Sequence, residues 1–235
     1  MPIDAAPIAL SVVVPVFNES ANIAPLIAEI VASLRHQVDF EIVYVDDCSK
    51  DDTLSQLSAQ KAFVPELRVL QHQRQSGQST ALRTGIRHAR GLWIATLDGD
   101  GQNDPADIAK LLSARAQASD TTKMFAGWRV QRRDVWSKRI ASTVANAVRS
   151  RALRDATPDT GCGLKLFERA AYLELPYFDH MHRYLPALMQ RAGYLTLSVP
   201  VSHRARTFGV SKYTNFGRLI VGLSDLCGVA WLIRR

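Results

Sequence analysis

The chain lacks what would tie it to an oxidised or zinc-held scaffold. Its 235 residues include three cysteines, Cys48, Cys162 and Cys227, far apart and with no Cys-x-x-Cys pair. Neither a disulfide framework nor a zinc cluster is expected, and a reducing compartment fits. The first residues carry no basic stretch ahead of an apolar one, so no secretory leader is expected. Internal repeats and low-complexity tracts are missing. One run, Phe216 to Ile233, has the length to span a bilayer, but Arg218 and Asp225 interrupt it. Each such charge costs roughly 2.5–3.5 kcal/mol at mid-bilayer, so an interfacial or partly buried helix is the expectation for residues 216–235. Acids are scarce from Lys123 to Asp155, where Asp134 and Asp155 stand against nine basic residues. From Arg129 onward Trp136 is the only aromatic among those charges, too few to stack a strand of bases, which excludes nucleic acid as a partner.

What is present is an ordinary globular composition, 47% apolar and 22% charged, with a net charge of +7. That length buries a full core, and the charge favours phosphorylated or lipid partners. Ser11 to Val14 is an apolar run stopped by Pro15, a buried strand. Ile23, Leu26, Ile27, Ile30, Val31 and Leu34 recur at helical spacing. Strands over Glu41–Val45, Leu67–Leu70 and Leu92–Leu97 alternate with helices near Asp51–Lys61 and Thr80–Ala89. Ser49 with Asp52 reads as a capping pair, and Pro105 as the start of a further helix. Alternation of this kind builds a mostly parallel α/β sheet flanked by helices. Such a sheet binds ligands outside the carboxyl ends of its strands.

Three polar clusters fall at those ends. Asp98-Gly99-Asp100 closes the fourth strand: two carboxylates one residue apart make a hard, oxygen-only site that suits Mg²⁺ or Mn²⁺ carrying phosphate. It fails as an EF-hand, which needs Gly and Glu where Asn103 and Ala109 stand. A phosphatase nucleophile would sit on the first strand, not the fourth. Val45-Asp46-Asp47-Cys48-Ser49-Lys50-Asp51-Asp52-Thr53 follows the second strand; Asp46 and Asp47 precede the helix cap and are placed to accept from a base or a ribose. Pro15-Val16-Phe17-Asn18-Glu19 follows the first, offering Phe17 to a base and Glu19 to a ribose. From Asp134 to Arg154, Val135, Trp136, Ile140, Val144 and Val148 recur within the basic residues, the pattern of a membrane-surface helix.

The three clusters, in this order, resemble the P-x-[YF]-N-E, V-D-D-x-S-x-D-x-T and D-x-D motifs of glycosyltransferase family 2, whose fold is GT-A. Asp98-Gly99-Asp100-Gly101-Gln102-Asn103-Asp104-Pro105 is similar to the D-x-D-x-Q-x-x-P of polyprenyl-phosphate sugar transferases, the dolichyl-phosphate mannose synthase group. Asp159-Thr160-Gly161-Cys162-Gly163-Leu164-Lys165 resembles the D-T-x-C-G-x-K of dolichyl-phosphate glucosyltransferases. His203-Arg204-Ala205-Arg206 through Gly209-Val210-Ser211-Lys212-Tyr213 resembles their closing loop. The resemblance covers roughly residues 8–215 and departs at Gln75-Ser76-Gly77-Gln78-Ser79, where the group has a Gly-rich, Lys-bearing loop, and at harmless Cys48, where it has Gly.

The resemblance implies an inverting, metal-dependent enzyme at the cytoplasmic face of the cell membrane, peripheral or monotopic, moving a sugar from a nucleotide-sugar donor to a polyprenyl phosphate. Asp98, Asp100 and Gln102 would hold the metal and the diphosphate. Pro15, Phe17, Glu19, Asp46 and Asp47 would bind the nucleoside, and the Gly77 loop the donor phosphates. Arg129, Arg139, Arg206 and Lys212 would place the acceptor phosphate. Two other readings stand beside it: a glycan hydroxyl acceptor with Asp159 as base, and a catalytically silent membrane-bound scaffold. Arg132, Arg133, Arg149, Arg151 and Arg154 are expected to face water or headgroups, and His180 and His182 to be structural or acceptor-side residues. The sugar, the base and the oligomeric state are left open.

Overall fold

The computed structural model describes residues 8–130, 149–153, 155, 157–205 and 215–235, with the first turns of the last helix described as backbone only. β1 (Leu10–Val16), α1 (Ser20–Leu34), β2 (Phe40–Asp46), α2 (Thr53–Lys61), β3 (Leu67–Gln71), α3 (Gln78–His88) and β4 (Trp93–Thr96) alternate as the periodicity requires. A 3-10 turn at Pro105–Asp107 leads into α4 (Ile108–Gln117). Then come β5 (Thr122–Arg129), β6 (Lys165–Glu168), α5 (Arg169–Leu173), α6 (Leu185–Arg191), β7 (Leu195–Val201) and α7 (Asn215–Ile233). The sheet order is β3-β2-β1-β4-β6-β5-β7. All neighbours are parallel except β6, which is antiparallel to both β4 and β5.

Two apolar layers enclose the sheet, and successive residues of a strand feed opposite ones. Val12, Val14, Ile42, Tyr44 and Ala95 pack on the α1 and α4 side. Val13, Val43, Val45 and Ile94 pack on the side of α3, α6 and α7. Strands buried on both faces read as unbroken apolar runs, which is why β1 and β2 show no alternation. Gly85 lets α3 lie directly on the sheet: a Cβ there would meet Val13 Cγ1 at 2.5 Å.

β1 does not stop at Pro15. The Val13 carbonyl accepts from Leu97 N, so Pro15, two residues on, presents its nitrogen to the same side. Pairing with β4 ends at Val13 opposite Thr96, so no ladder bond is lost to the missing N–H.

The antiparallel β6 decides what reaches the site. Lys165, its first residue, pairs with Thr96, the last of β4. An antiparallel strand begins where its neighbour ends, so residues 159–164 arrive beside Asp98. β5 runs parallel to β4 and delivers Arg129 to the same edge.

α7 forms where the apolar run predicted a helix. Val229 is buried, and Leu226, Ala230 and Ile233 pack against the core. Tyr184 Oη donates to Gly222 O, and Arg191 Nε donates to Leu232 O at 2.8 Å. Trp231 is exposed. Among the described residues no helix is long and apolar enough to cross a membrane.

Candidate active site

The loops leaving β1 and β2 are stitched together. Asn18 N donates to Ser49 Oγ at 2.9 Å, Lys50 N to Asn18 Oδ1 at 2.7 Å, and Glu19 N to Thr53 Oγ1 at 2.9 Å. Ser49 therefore does not cap α2; its oxygen is engaged across the loops. Thr53 N is met by Asp51 Oδ1 at 3.0 Å instead. The stitching needs left-handed backbone at Asn18 (φ 52°) and Cys48 (φ 63°). Asn tolerates that region. Cys48 does not, so the substitution expected to be harmless carries a conformational cost of about 1 kcal/mol.

Asp46 is fully buried and accepts from Ser49 N at 3.2 Å. Asp47 accepts from Ser76 N and Gly77 N, each at 2.8 Å, and lies 2.7 Å from His72 Nδ1. A carboxylate has roughly four lone-pair sites, so Asp47 retains room for about one more partner. Its main work is to hold the Gly77 loop at the mouth of the site. Gly77 itself has φ 87°. Glu19 Oε2 accepts from Asn22 Nδ2 at 2.8 Å.

Asp98-Gly99-Asp100 runs against the end of β1. A Cβ at Gly99 would sit 2.5 Å from Val16 Cγ1 and 3.1 Å from Pro15 O, which brings the first and third motifs into contact. The Asp98 carboxylate is fixed on two sides: Gln78 Nε2 donates to its Oδ1 at 2.9 Å, and the Gly163 backbone backs onto it. Asp98 N donates to the buried Asn103 Oδ1 at 3.2 Å. Burial, then the neighbouring Asp100 charge, push the Asp98 carboxyl above its usual range; Lys165, Arg129 and the Gln78 bond act against them. Asp100 Oδ1 accepts from Gln102 N at 3.1 Å, and Gln102 O accepts from Arg204 N at 3.0 Å. Arg204 also ion-pairs with Glu29 and with Asp104, each at 2.7 Å.

Two carboxylates and an amide oxygen, all hard donors, suit Mg²⁺ or Mn²⁺. Among the described residues no third His, Cys, Asp or Glu joins them.

Beyond Asp98 lies the motif delivered by β6. Arg129 forms a fork on Asp159, Nε to Oδ2 at 2.7 Å and Nη2 to Oδ1 at 2.9 Å. Burial opposes the guanidinium charge, and the Asp159 bonds outweigh it, so the Arg129 pKa is raised. Lys165 is buried and donates to Cys162 O; burial pushes its pKa down. Burial likewise raises the Cys162 thiol. His182 is half-buried, with Nδ1 2.7 Å from Ser79 Oγ, and desolvation pushes its pKa down.

The structure thus gathers Pro15, Phe17, Glu19, Asp46, Asp47, Gly77, Asp98, Asp100, Gln102, Arg129 and Asp159 at one sheet edge. Arg139, Arg206, Lys212 and most of the expected surface helix lie outside the described residues. Arg149 does not face water: it is buried and ion-pairs with Asp155. Nothing but its place in a basic run suggested exposure; Asp155 six residues on was the missed partner. Gln78, Asn103, Gly163 and Arg204 fall inside the motifs quoted above, but none of them was assigned a place at the site. Only Gln78 carried a signal, as the first residue of a helix opening behind the Gly77 loop.

Residues 11–175 match Glycosyl transferase family 2. The chain is 36% identical, over 96% of its length, to a dodecaprenyl-phosphate galacturonate synthase of Rhizobium johnstonii. It is 33% identical, over 87%, to an undecaprenyl-phosphate 4-deoxy-4-formamido-L-arabinose transferase of Sodalis glossinidius. It spans 67% and 63% of the length of these two relatives. In fold it is similar to a Pyrobaculum calidifontis mannosyltransferase in complex with GDP-Man and Mn²⁺, at TM-score 0.71 and 24% identity, covering all of this chain and 68% of that one. It is also similar to a Mycobacterium tuberculosis glucosyl-3-phosphoglycerate synthase in complex with Mn²⁺, UDP and phosphoglyceric acid, at TM-score 0.68 and 19% identity, covering 95% and 80%.

Proposed function

The chain belongs to glycosyl transferase family 2, and from that premise we propose that it moves a sugar from a nucleotide-sugar donor to a polyprenyl phosphate at the cytoplasmic membrane face. One observation carries the reading: Asp98 and Asp100 lie at the carboxyl edge between the stitched nucleoside loops and the Arg129–Asp159 fork. Donor and acceptor then meet across the aspartate pair. The two relatives above, named for polyprenyl-phosphate substrates, support the acceptor class.

Pro15, Phe17, Glu19 and Asp46 take the nucleoside, with Asp47 acting chiefly through the Gly77 loop. Asp98, Asp100 and Gln102 are the residues that would hold Mg²⁺ or Mn²⁺. When bound, the cation neutralises the charge that develops on the leaving diphosphate. Arg129, with Arg139, Arg206 and Lys212, holds the acceptor phosphate behind the anomeric carbon. An oxygen of that phosphate forms the new bond as the bond to the diphosphate breaks, inverting the configuration. A phosphate monoester is already an anion at neutral pH, so positioning supplies most of the rate.

Asp100→Ala tests the aspartate site, with radiolabelled sugar followed into organic solvent. Label should enter a mild-acid-labile lipid with wild type and not with the variant. Unchanged transfer by Asp100→Ala, or label found only in water-soluble glycan, would refute the reading.

A further inference from the structure

A cavity of about 380 Å³ lies on the flank between α3 and α5. Arg83, Arg87 and Arg169 line it, with Leu173, Tyr177 and Met181 in its apolar wall. No carboxylate lines it, and among the described residues none of the three arginines is in an ion pair.

Two of the three guanidiniums are held in place. Arg169 donates Nε to Ile86 O at 2.9 Å and Nη2 to Arg87 O at 3.0 Å, which leaves other N–H groups for a ligand. The Arg83 guanidinium stacks 4.2 Å from the centre of the Tyr177 ring, whose hydroxyl hydrogen-bonds with Thr80 Oγ1 at 2.7 Å. Arg87 is exposed and follows Arg83 by four residues, a spacing at which like charges repel. The C-terminal end of α3 offers only about half a negative charge. Three cations exceed what that dipole balances, and an anion with several oxygens would complete the set. Phosphate matches the forked geometry of arginine. Leu173 and Tyr177 stand partly exposed at the rim, an apolar and aromatic border of the kind found at the headgroup level of a bilayer.

We propose that this pocket binds a phosphate group, from a lipid headgroup or a soluble phosphate ester, apart from the donor and acceptor phosphates. The proposal goes beyond the transferase reading, and its readout is binding, so either can fail alone.

The test compares the full chain, Arg83→Gln/Arg87→Gln, and Lys61→Gln/Arg115→Gln, which removes equal charge elsewhere. The probes are phosphatidylcholine vesicles with and without phosphatidylglycerol, by co-sedimentation, and inorganic phosphate and glycerol phosphate, by thermal shift. The pocket pair should weaken phosphate-dependent binding by about tenfold or more, and the control pair by about threefold at most. Loss confined to phosphatidylglycerol vesicles identifies a lipid headgroup; loss confined to the free esters identifies a soluble ligand. Arg87→Gln alone, at an exposed position, should shift the same probe in the same direction by less. Equal losses in the two pairs, or wild type binding none of the probes, would overturn the proposal.

Discussion

Gly163→Ala tests how the Asp98 carboxylate is held. A Cβ at position 163 would lie 2.1 Å from Asp98 Oδ2, 2.4 Å from Cγ and 2.7 Å from Oδ1. Carbon and oxygen tolerate about 3.3 Å at closest, so one of the two groups must retreat by about 1 Å. The glycine is pinned, because its carbonyl accepts from Thr96 Oγ1 at 2.7 Å and the next carbonyl accepts from Gly127 N at 3.0 Å. The carboxylate yields instead, turning about its own side-chain bonds and leaving Gln78.

The cost to folding is modest: about 0.5–1.5 kcal/mol for an off-rotamer side chain, plus about 1.5–3 kcal/mol for a charged hydrogen bond. At roughly 2–4 °C per kcal/mol for a domain of this size, the melting temperature falls by about 4–18 °C and the protein stays folded at 25 °C. The cost to function is read directly in rate, because a 1 Å misplacement at the reacting centre costs about a hundredfold. Transfer assays on purified protein should show that loss in kcat/KM, and electron paramagnetic resonance of free Mn²⁺ should show weaker binding. Rates within about threefold of wild type, well short of the hundredfold misplacement cost, would mean that Asp98 is not needed where the structure holds it.

Three other substitutions probe separate layers. Glu41 is buried and accepts from Ser11 Oγ, Arg68 Nη1 and Arg90 N. Burial raises its carboxyl, and those donors more than offset it, so its folded pKa is depressed. That stability is present above the unfolded value near about 4.3 and is lost as pH falls through the lower folded value. Glu41→Gln should cost about 2 kcal/mol at neutral pH and flatten the acid limb of a stability–pH curve; an unchanged acid limb refutes it. Cys48→Gly should raise the melting temperature by about 2–4 °C, from roughly 1 kcal/mol of relieved left-handed strain, and a fall would show that the strain is absent. Asp159→Asn should raise KM for the lipid acceptor more than it lowers kcat, because it releases the Arg129 fork; a fall in kcat alone would count against a positioning role.

The sequence made the carboxyl-edge strands legible because they are buried on both faces, and apolar runs such as Val12–Val14 and Ile42–Val45 have no other reading. The three motifs could be assigned to one site because parallel strands end together. The β6 delivery was not legible. Lys165–Glu168 is four residues with a charge at each end, too short for a period to register. Its antiparallel direction, which brings Gly163 against Asp98, is a tertiary fact. Arg204 read as one more basic residue of a closing loop; its role in tying Gln102 to α1 depends on Glu29, 175 residues earlier. Pro15 shows a local rule overridden by topology, since the neighbouring strand had already ended.

The Arg129–Asp159 fork bears on the choice of acceptor. A general base must reach the proton it takes with a lone pair to spare. Both Asp159 oxygens are engaged by the guanidinium, and Oδ2 also receives Arg129 N at 3.3 Å. A carboxylate has roughly four lone-pair sites, so these three bonds leave Asp159 about one, and a hydroxyl acceptor would have to reach it beside the fork. A phosphate acceptor brings its own anionic oxygen and needs only to be held. Its difficulty is the opposite one, the approach of a second anion to a diphosphate beside two carboxylates. Arg129 and Lys165 are the cations whose fields offset burial at Asp98, and Lys165 is buried, where screening by salt is weak. Arg129 stays charged, its pKa raised by the Asp159 bonds, and that cation beside the carboxylates suits an anionic acceptor better than a neutral hydroxyl.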